Sequence, residues 1–558
     1  MTDRAGDEPD AASTVGRASV VLGAGTLVSR ILGFVSAFVL SQALGVTGAG
    51  SDAFALANQL PNNVYAIVAG GLLGAVLVPA VVRAGLHDDG GQRFINKVVT
   101  LGGLVFVVIA VIVTIGAPVL VRIYATSGDD GGFTEPQLAL ATAFAFWCLP
   151  QVLFYALYSL FGEILNARGV FGPFTWAPAV NNVVAIAGIL VFIALYGGAT
   201  EHVDAAGWTP SQIALLAGTA TLGIAAQALV LIFFWRRAGL GYRPDFRWRG
   251  AGLGRAGASA AWLFGMVVIT QLAGVVESQV ASKASGDDAS ATANASISAL
   301  RYGWLIFMLP HSVITVSVAT AYFTRMSGHA RDGDLASLRT DVSTALRGIL
   351  LLMVFAFVAL VVLSWPFAAV FGQSYLQVTQ LGTVLLAFLV GLIPFTVLFV
   401  LQRVFYSLDN TRTVFFVQVV QAVLYVAGAL LVREFVPVEW IAVGLALVLS
   451  IAGSAQAITA AVLLRGRLNG LEFGRVAARA LWYLGAALVA GAVGAGVLVL
   501  LGGIGDGAFP VSGAVGGIVS MAVAGASMGL VYFAILWMTR NPELRALVAP
   551  IAARLRRR

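Results

Sequence analysis

The chain has 558 residues, of which 59% are hydrophobic and only 11% are charged, and its formal net charge is +7. Such a composition excludes a soluble globular protein, because too few polar side chains remain to cover a core in water. Apolar runs of the roughly 20 residues that a membrane helix needs follow one another almost from end to end. The sequence therefore predicts an all-α polytopic membrane protein. Its one cysteine, Cys148, cannot form a disulfide within the chain.

Fourteen apolar runs, separated by charged or Gly/Pro-rich breaks, predict fourteen transmembrane helices. Residues 1–17 precede them as a disordered cytoplasmic tail, which is acidic and unlike the basic start of a cleavable signal peptide. The helices are predicted at residues 18–44, 53–83, 96–125, 137–165, 174–197, 210–235, 257–282, 290–324, 340–370, 377–407, 412–432, 438–464, 476–502 and 511–538.

Charges in the connecting segments alternate in sign along the chain. Arg168 and the run from Arg236 to Arg255 lie in basic segments, whereas Asp129 and Asp287 lie in acidic ones. Because Lys and Arg gather in cytoplasmic loops, both termini are expected in the cytoplasm. The basic loops favour anionic membrane lipids as partners over nucleic acid, although a topology signal alone also explains them.

A weak twofold repeat divides the predicted helices. Leu60-Pro61 in the second helix matches Leu309-Pro310 in the eighth, at an offset of six helices. This offset predicts two parallel six-helix lobes followed by two additional helices. The predicted regions are an N-lobe at residues 18–238, a basic cytoplasmic linker at 239–256, a C-lobe at 257–466, the last helix pair at 467–540 and a basic cytoplasmic tail at 541–558.

No group of residues indicates catalysis. The four histidines are scattered, and none has a second metal ligand at suitable spacing. A G-x-G-x-x-G motif at Gly252, Gly254 and Gly257 leads into a membrane helix, so it lacks the strand–turn–helix context of a dinucleotide site. The sequence therefore predicts a protein that is not an enzyme and binds no cofactor beyond a coupling cation.

Ionisable side chains inside predicted helices are costly and are therefore the functional candidates. Arg30 in the first helix either lines a cavity, pairs with Asp52 or snorkels to the surface. Arg301 in the eighth helix either lines a cavity or snorkels. Glu277 in the seventh helix either couples transport to a proton or cation, or pairs with Arg301 or Lys283.

Other polar residues have two interpretations each. Asp409 and Arg403 bracket the end of the tenth helix, where an ordinary loop ion pair is the stronger interpretation. Asn62 in the second helix serves either hydrogen bonding between helices or ligand binding. Prolines such as Pro61 and Pro310 lie inside helices and bend them, which is typical of a transporter that opens alternately to each side.

Several segments together resemble the MurJ/MviN type of lipid II flippase, within the multidrug/oligosaccharidyl-lipid/polysaccharide exporter superfamily. They are distributed over both predicted lobes. The segments are Ser29–Phe34, Ser51–Phe54, Leu60–Asn62, Gly162–Ala167, Asn181-Asn182, Ala299–Tyr302 and Arg403–Thr411.

The resemblance implies a plasma-membrane flippase that moves lipid II, the peptidoglycan precursor, outward by alternating access. It implies a central cationic cavity, a groove for the polyprenyl tail in the last helix pair, and coupling to membrane potential, Na⁺ or H⁺. Arg30 and Arg301 would bind the diphosphate, Asp52 would orient Arg30, and Asn62 would belong to the same site. Arginine suits phosphate because it donates in pairs and keeps its charge.

The chain departs from the family pattern at several positions. Ser36 and Tyr65 stand where the family usually has basic residues, and Leu305 stands where it has its eighth-helix arginine. Arg301, four residues before Leu305, lies on the same helix face. The family's sodium-binding acid aligns with Asn410, next to Asp409. The predicted ion-coupling residues are therefore Asp409 and Asn410 from the resemblance, together with Glu277 from its position inside a membrane helix.

Two alternatives remain open from the sequence. One is an exporter of another polyprenyl-diphosphate-linked glycan or of an amphipathic cation, because fewer cavity arginines are present than the family usually has. The other is a scaffold without transport activity that recruits cell-wall synthesis proteins through its basic loops and tail.

Overall fold

The computed structural model describes residues 11–69, 91–127, 131–170, 172–202, 204–237, 239–247, 258–285, 294–468 and 470–555. In these ranges the secondary structure is helical, and they contain no β-strand. A helix satisfies its backbone hydrogen bonds within itself, as a membrane interior requires. The all-α prediction is confirmed.

The helices of the first half follow the predicted order. The first begins at Ala11, before its predicted start, and the second is described as far as Ala69, since residues 70–90 lie outside the described ranges. The helices are α1 (Ala11–Leu44), α2 (Ala49–Ala69), α3 (Gln92–Ile115), α4 (Ala117–Tyr124), α5 (Glu135–Cys148), α6 (Gln151–Ala167), α7 (Gly172–Tyr196) and α8 (Pro210–Arg237).

The second half contains longer helices and several broken ones. Its last element is a helix within the predicted basic tail. The helices are α9 (Ala258–Ser282), α10 (Ile297–Pro310), α11 (Val316–Arg331), α12 (Leu335–Val362), α13 (Ser364–Phe371), α14 (Tyr375–Leu389), α15 (Leu392–Ser407), α16 (Thr411–Phe435), α17 (Ile441–Arg467), α18 (Phe473–Leu500), α19 (Ala514–Met538) and α20 (Pro542–Leu555).

Breaks in the helices coincide with prolines. Pro150 separates α5 from α6, and Pro310 ends α10 before a π-helical turn at His311–Thr315. Pro394 lies in the first turn of α15, next to a 44° bend between α14 and α15. Proline lacks the backbone N–H and clashes with the preceding turn, which explains each break.

Twelve helical stretches of the described chain are long and apolar enough to cross a membrane, or thirteen if α14 and α15 form one bent span. The prediction of a multi-span protein is therefore confirmed. The count of fourteen is not confirmed, and α2, the second predicted span, is described only in part.

The chain forms two compact units. Unit 1 comprises Met1–Leu44, Leu56–Arg122 and Pro136–Val267, and unit 2 comprises Gly45–Ala55, Ile123–Glu135 and Val268–Arg558. The predicted lobes stay a prediction, since the boundary between the units falls within α9 and two short early segments belong to unit 2.

In unit 1, α7 packs against α1 and α8, and α6 packs against α3 and α8. Phe161 and Trp235 meet edge to face in the core, with ring centroids 5.0 Å apart. Small residues permit the close approach of helices. At Gly25, for example, an added Cβ would lie 2.8 Å from the indole nitrogen of Trp176.

In unit 2, α12 packs against α18, α16 against α17, and α19 against both α13 and α18. Tyr532 of α19 is fully buried and donates a hydrogen bond to the carbonyl oxygen of Leu351 at 2.6 Å. This bond and the stacking of Tyr532 on Phe355, at 4.9 Å, fix α19 against α12.

Candidate functional site

Arg30 lies in α1 next to a contact with α7. Asn182 of α7 donates from Nδ2 to the carbonyl oxygen of Ser29 at 2.9 Å, and Gly33 leaves room for the same amide. The side chain of Arg30 is half-buried and has no ion-pair partner in the described part of unit 1. A cation without a carboxylate in a membrane helix is available to an anionic ligand.

Asn62 belongs to a polar face of α2 in unit 1. Its side chain is exposed, one residue after Pro61. One turn earlier, Asn58 accepts a hydrogen bond from Gln151 of α6 at 3.4 Å, and Gln151 also donates to Thr221 of α8 at 3.0 Å. Polar groups at this depth require water, a ligand or each other, since lipid offers no hydrogen bonds.

The same face of α2 continues into an aromatic and acidic group, here called the α2–α6 seam: Tyr65, Tyr155, Ser159 and Glu163. The rings of Tyr65 and Tyr155 lie 5.8 Å apart at 32°. The hydroxyl of Tyr65 interacts with Ser159 and lies near Glu163. Sequence reasoning missed the three α6 members, although their spacing of four residues places them on one helix face.

Asp52 lies in the first turn of α2 and is buried in unit 2, with an exposed fraction of 1%. Its carboxylate accepts hydrogen bonds from the Ser285 hydroxyl at 2.7 Å and from the Ser298 backbone N–H at 2.8 Å. An anion at the N-terminus of α10 satisfies an amide that has no partner within the helix. Asp52 and Arg30 belong to different units, so their predicted pairing stays a prediction.

Arg301 follows this cap by one turn and is exposed on α10. The opposite face of α10 is packed, with Gly303 against Phe388 and Val384 of α14. Leu305 is only partly buried, as expected if it shares the face of Arg301. The structure thus keeps the guanidinium of Arg301 accessible within unit 2.

Glu277 is half-buried in α9, and its carboxylate lies next to the hydroxyl of Tyr425 from α16. Lys283, one predicted partner, donates instead to the carbonyl oxygen of Arg433 at 3.2 Å. Among the described residues, Glu277 forms no ion pair with Lys283 or Arg301.

A row of glutamines leads along α16 towards this carboxylate. Gln456 of α17 donates to Gln418 at 2.9 Å, and Gln418 donates to Gln421 at 2.7 Å. Gln421 lies one turn before Tyr425, on the same helix face. Sequence reasoning missed this row, although three amides in two apolar helices are a visible signal.

Asp409 and Asn410 form the turn between α15 and α16. Asp409 is exposed and has a left-handed backbone, with φ 53°. Asn410 caps α16, since its side-chain oxygen accepts from the N–H and hydroxyl of Thr413 at 3.3 and 3.0 Å. The guanidinium of Arg403 lies over the ring of Phe399 at 4.8 Å, and no ion pair with Asp409 occurs in this described turn.

An open apolar pocket of about 600 Å³ lies along the last half of α19. Its lining includes a glycine that leaves space between larger side chains. The lining residues are Ala526, Gly529, Leu530, Phe533, Ala534, Trp537 and Met538.

Comparison with known proteins gives consistent matches. The family model described as lipid II flippase MurJ matches residues 40–512. A Haemophilus influenzae protein, "Probable lipid II flippase MurJ", is 28% identical over 410 residues, covering 70% of this chain and 75% of the relative. A Vibrio cholerae protein with the same name is 25% identical over 499 residues, covering 87% and 88%.

Solved structures show the same fold. One described as lipid II flippase MurJ in an inward closed conformation has a TM-score of 0.70 at 17% identity, covering 93% of this chain and 99% of that one. An inward-facing MATE family transporter of the MOP superfamily has a TM-score of 0.60 at 17% identity, covering 79% and 94%. Because the family model matches most of the sequence, the chain belongs to the MurJ family of lipid II flippases.

Proposed function

We propose that this protein moves lipid II from the cytoplasmic to the outer leaflet of the bacterial inner membrane by alternating access, for cell-wall synthesis. The family match over residues 40–512 is the observation that carries the proposal. The names of the curated relatives support the same substrate rather than another lipid-linked glycan. The family is one of transporters, so no catalytic step is needed.

Arg30 and Arg301 are the proposed contacts for the diphosphate of lipid II. In its own unit, each guanidinium lacks a carboxylate partner among the described residues and is at least partly accessible. Guanidinium groups donate in pairs to phosphate oxygens and remain charged at any physiological pH. Asn62, exposed on α2, is proposed to donate to the same head group.

The apolar pocket on α19 is the proposed contact for the polyprenyl tail. Its lining carries no charged side chain, and Trp537 and Phe533 offer broad apolar faces. An isoprenoid chain gains free energy there mainly by close packing, since lipid is as apolar as the pocket.

Glu277 is the proposed ion-coupling residue, with Tyr425 as its neighbour. A carboxylate in a membrane helix is costly unless a proton or cation neutralises it. The glutamines on α16 and α17 supply oxygens and amides that lead towards it. Asp409 and Asn410 are weaker candidates, because Asn410 already accepts from Thr413.

The proposal is tested by complementation of a strain depleted of its own lipid II flippase, with lipid II translocation measured directly. The wild-type chain is expected to restore translocation and growth. The double variant Arg30→Ala, Arg301→Ala is expected to lose translocation, while Arg331→Ala, at the exposed end of α11, is expected to keep it.

The two parts of the proposal fail separately. A wild-type chain that is expressed in the membrane but restores no translocation would contradict the proposed substrate. Full translocation by the double variant would leave the substrate intact and remove the two arginines from the binding site.

A further inference from the structure

We propose that the α2–α6 seam binds an ammonium group of the transported molecule, which rests on the proposed function. In lipid II this group is the free amine of the diamino acid in the peptide of the head group. The juxtaposition that carries the proposal lies within unit 1: the carboxylate of Glu163, which has no ion-pair partner among the described residues, lies near Tyr65, whose ring is tilted against that of Tyr155.

Glu163 has no cationic partner among the described residues. It is half-buried in α6 and forms no ion pair or hydrogen bond with the part of the chain that the structure describes. A desolvated carboxylate is costly in a membrane helix, and a cation offsets that cost. The described part of the chain thus provides the acid, and we propose that the transported molecule provides the cation.

Two further features make the same place electronegative. Glu163 lies four residues before Ala167, the end of α6, where the helix dipole carries a partial negative charge. The faces of Tyr65 and Tyr155 also carry negative charge density, which attracts cations within about 6 Å of a ring centroid. Carboxylate, helix end and aromatic faces therefore all favour a positive ligand.

The packing of α6 argues against a lipid-facing aromatic belt. Two other faces of α6 are covered by α3 and α8, and its seam face meets Tyr65 of α2. Tyr158, next to the seam, stacks on Phe174 at 4.9 Å and donates to its carbonyl oxygen at 3.0 Å. These two contacts hold this part of α6 against α7. Polar, partly accessible side chains between packed membrane helices line a wet space rather than lipid.

An ammonium group fits the seam better than a sugar ring or an inorganic ion. A pyranose ring would pack against the aromatic rings, but it carries no positive charge that would neutralise Glu163. A dehydrated metal cation needs several oxygen ligands, whereas Glu163 and Ser159 are the main side-chain oxygens near the Tyr65 hydroxyl. An ammonium group donates hydrogen bonds to the carboxylate and is attracted to the faces of the aromatic rings.

The test measures equilibrium binding by the purified full chain in nanodiscs. The probes are lipid II, lipid II with its peptide amine acetylated, and undecaprenyl diphosphate. Glu163→Gln is expected to weaken lipid II binding about tenfold, the size of one charge-assisted contact. The same substitution is expected to leave binding of the acetylated lipid unchanged, and Tyr155→Leu to weaken lipid II binding about threefold to fivefold.

Glu201→Gln, exposed in the short 3-10 helix Ala199–Glu201 of the same unit, is the matched control and is expected to bind like wild type. A misfolded variant would bind the acetylated lipid more weakly as well. Comparing the two probes therefore distinguishes a folding defect from the loss of a contact to the amine. If Tyr155→Leu weakened the binding of both lipids equally and Glu163→Gln had no effect, the seam would bind the sugars. That result would contradict the proposed ammonium site.

Failure of the substrate proposal gives a different pattern. Wild-type protein that binds none of the three lipids would contradict the proposed function. Octylammonium, titrated into wild type and Glu163→Gln, then decides the inference independently: weaker binding to the variant supports it, and equal binding overturns it. Sodium is titrated in the same way. If the two proteins differed in their binding of sodium but not of octylammonium, the inference would be contradicted.

Discussion

At the scale of single residues, burial decides what each polar group does. His202, outside the candidate membrane spans, is 4% exposed and packs against Phe192 and Trp208 at 4.9 and 5.0 Å. Burial lowers the pKa of His202, because its protonated form loses hydration. The unfolded chain then binds the proton more tightly, so this residue stabilises the fold fully above about pH 6.5 and less below it.

His202→Phe is therefore expected to flatten the acid side of the stability profile. Wild-type protein should lose thermal stability as the pH falls from 7 to 5, and the variant should lose less. Thermal unfolding midpoints in one detergent, measured at each pH, check this. Parallel curves for the two proteins would assign the acid sensitivity to other groups.

Asp52 is a residue whose removal takes an acceptor away from two buried donors. Asp52→Ala is expected to destabilise the protein by about 1–3 kcal/mol, because the Ser298 N–H and the Ser285 hydroxyl lose their acceptor. Hydrogen exchange at the start of α10 should accelerate. Ser51→Ala, which removes only a bond to the Gly48 carbonyl oxygen, is the control, and unchanged exchange in Asp52→Ala would contradict the capping role.

At the scale of elements, close approach of helices depends on particular glycines. A Cβ added at Gly517 of α19 would overlap the backbone carbonyl oxygen of Pro366 in α13, which cannot move without the helix. Gly517→Ala is expected to cost about 1–3 kcal/mol through this overlap. Thermal unfolding in detergent measures the cost.

Gly525 on the same helix provides the matched comparison. Its added Cβ would lie 3.8 Å from the nearest atom, a methyl of Leu363, so Gly525→Ala should be tolerated. If both substitutions lowered the unfolding midpoint equally, helix propensity or lipid contact rather than the α13 contact would explain the loss.

At the scale of the whole molecule, the alternating loop charges lead to a topology that labelling can check. The one cysteine, Cys148, is buried, so new surface cysteines can be labelled over a low background. An impermeant maleimide on intact cells should label Gly207→Cys, before α8, and should not label Asp332→Cys, beside the basic end of α11. Labelling of both is expected after permeabilisation, and the reverse pattern in intact cells would invert the orientation.

Much of the fold, but less of the site, could be predicted from the sequence. Helix positions follow from local hydrophobicity, and the breaks at Pro150 and Pro310 follow from proline chemistry. Several motifs together, including the one around Arg30, indicated the family. The roles of Glu163 and of Gln418 were not predicted, because each depends on a side chain from another helix.

The sequence by itself determined the helical class, the transporter family and the residues that are expensive in a membrane. These properties are local, since each membrane helix must satisfy its own backbone. Only the tertiary structure decided the partners: Asp52 bonds Ser285 and Ser298 across 233 and 246 positions, and Tyr65 reaches Ser159 and Glu163 from another helix. The rotation and depth of each helix set such contacts, and hydropathy encodes neither.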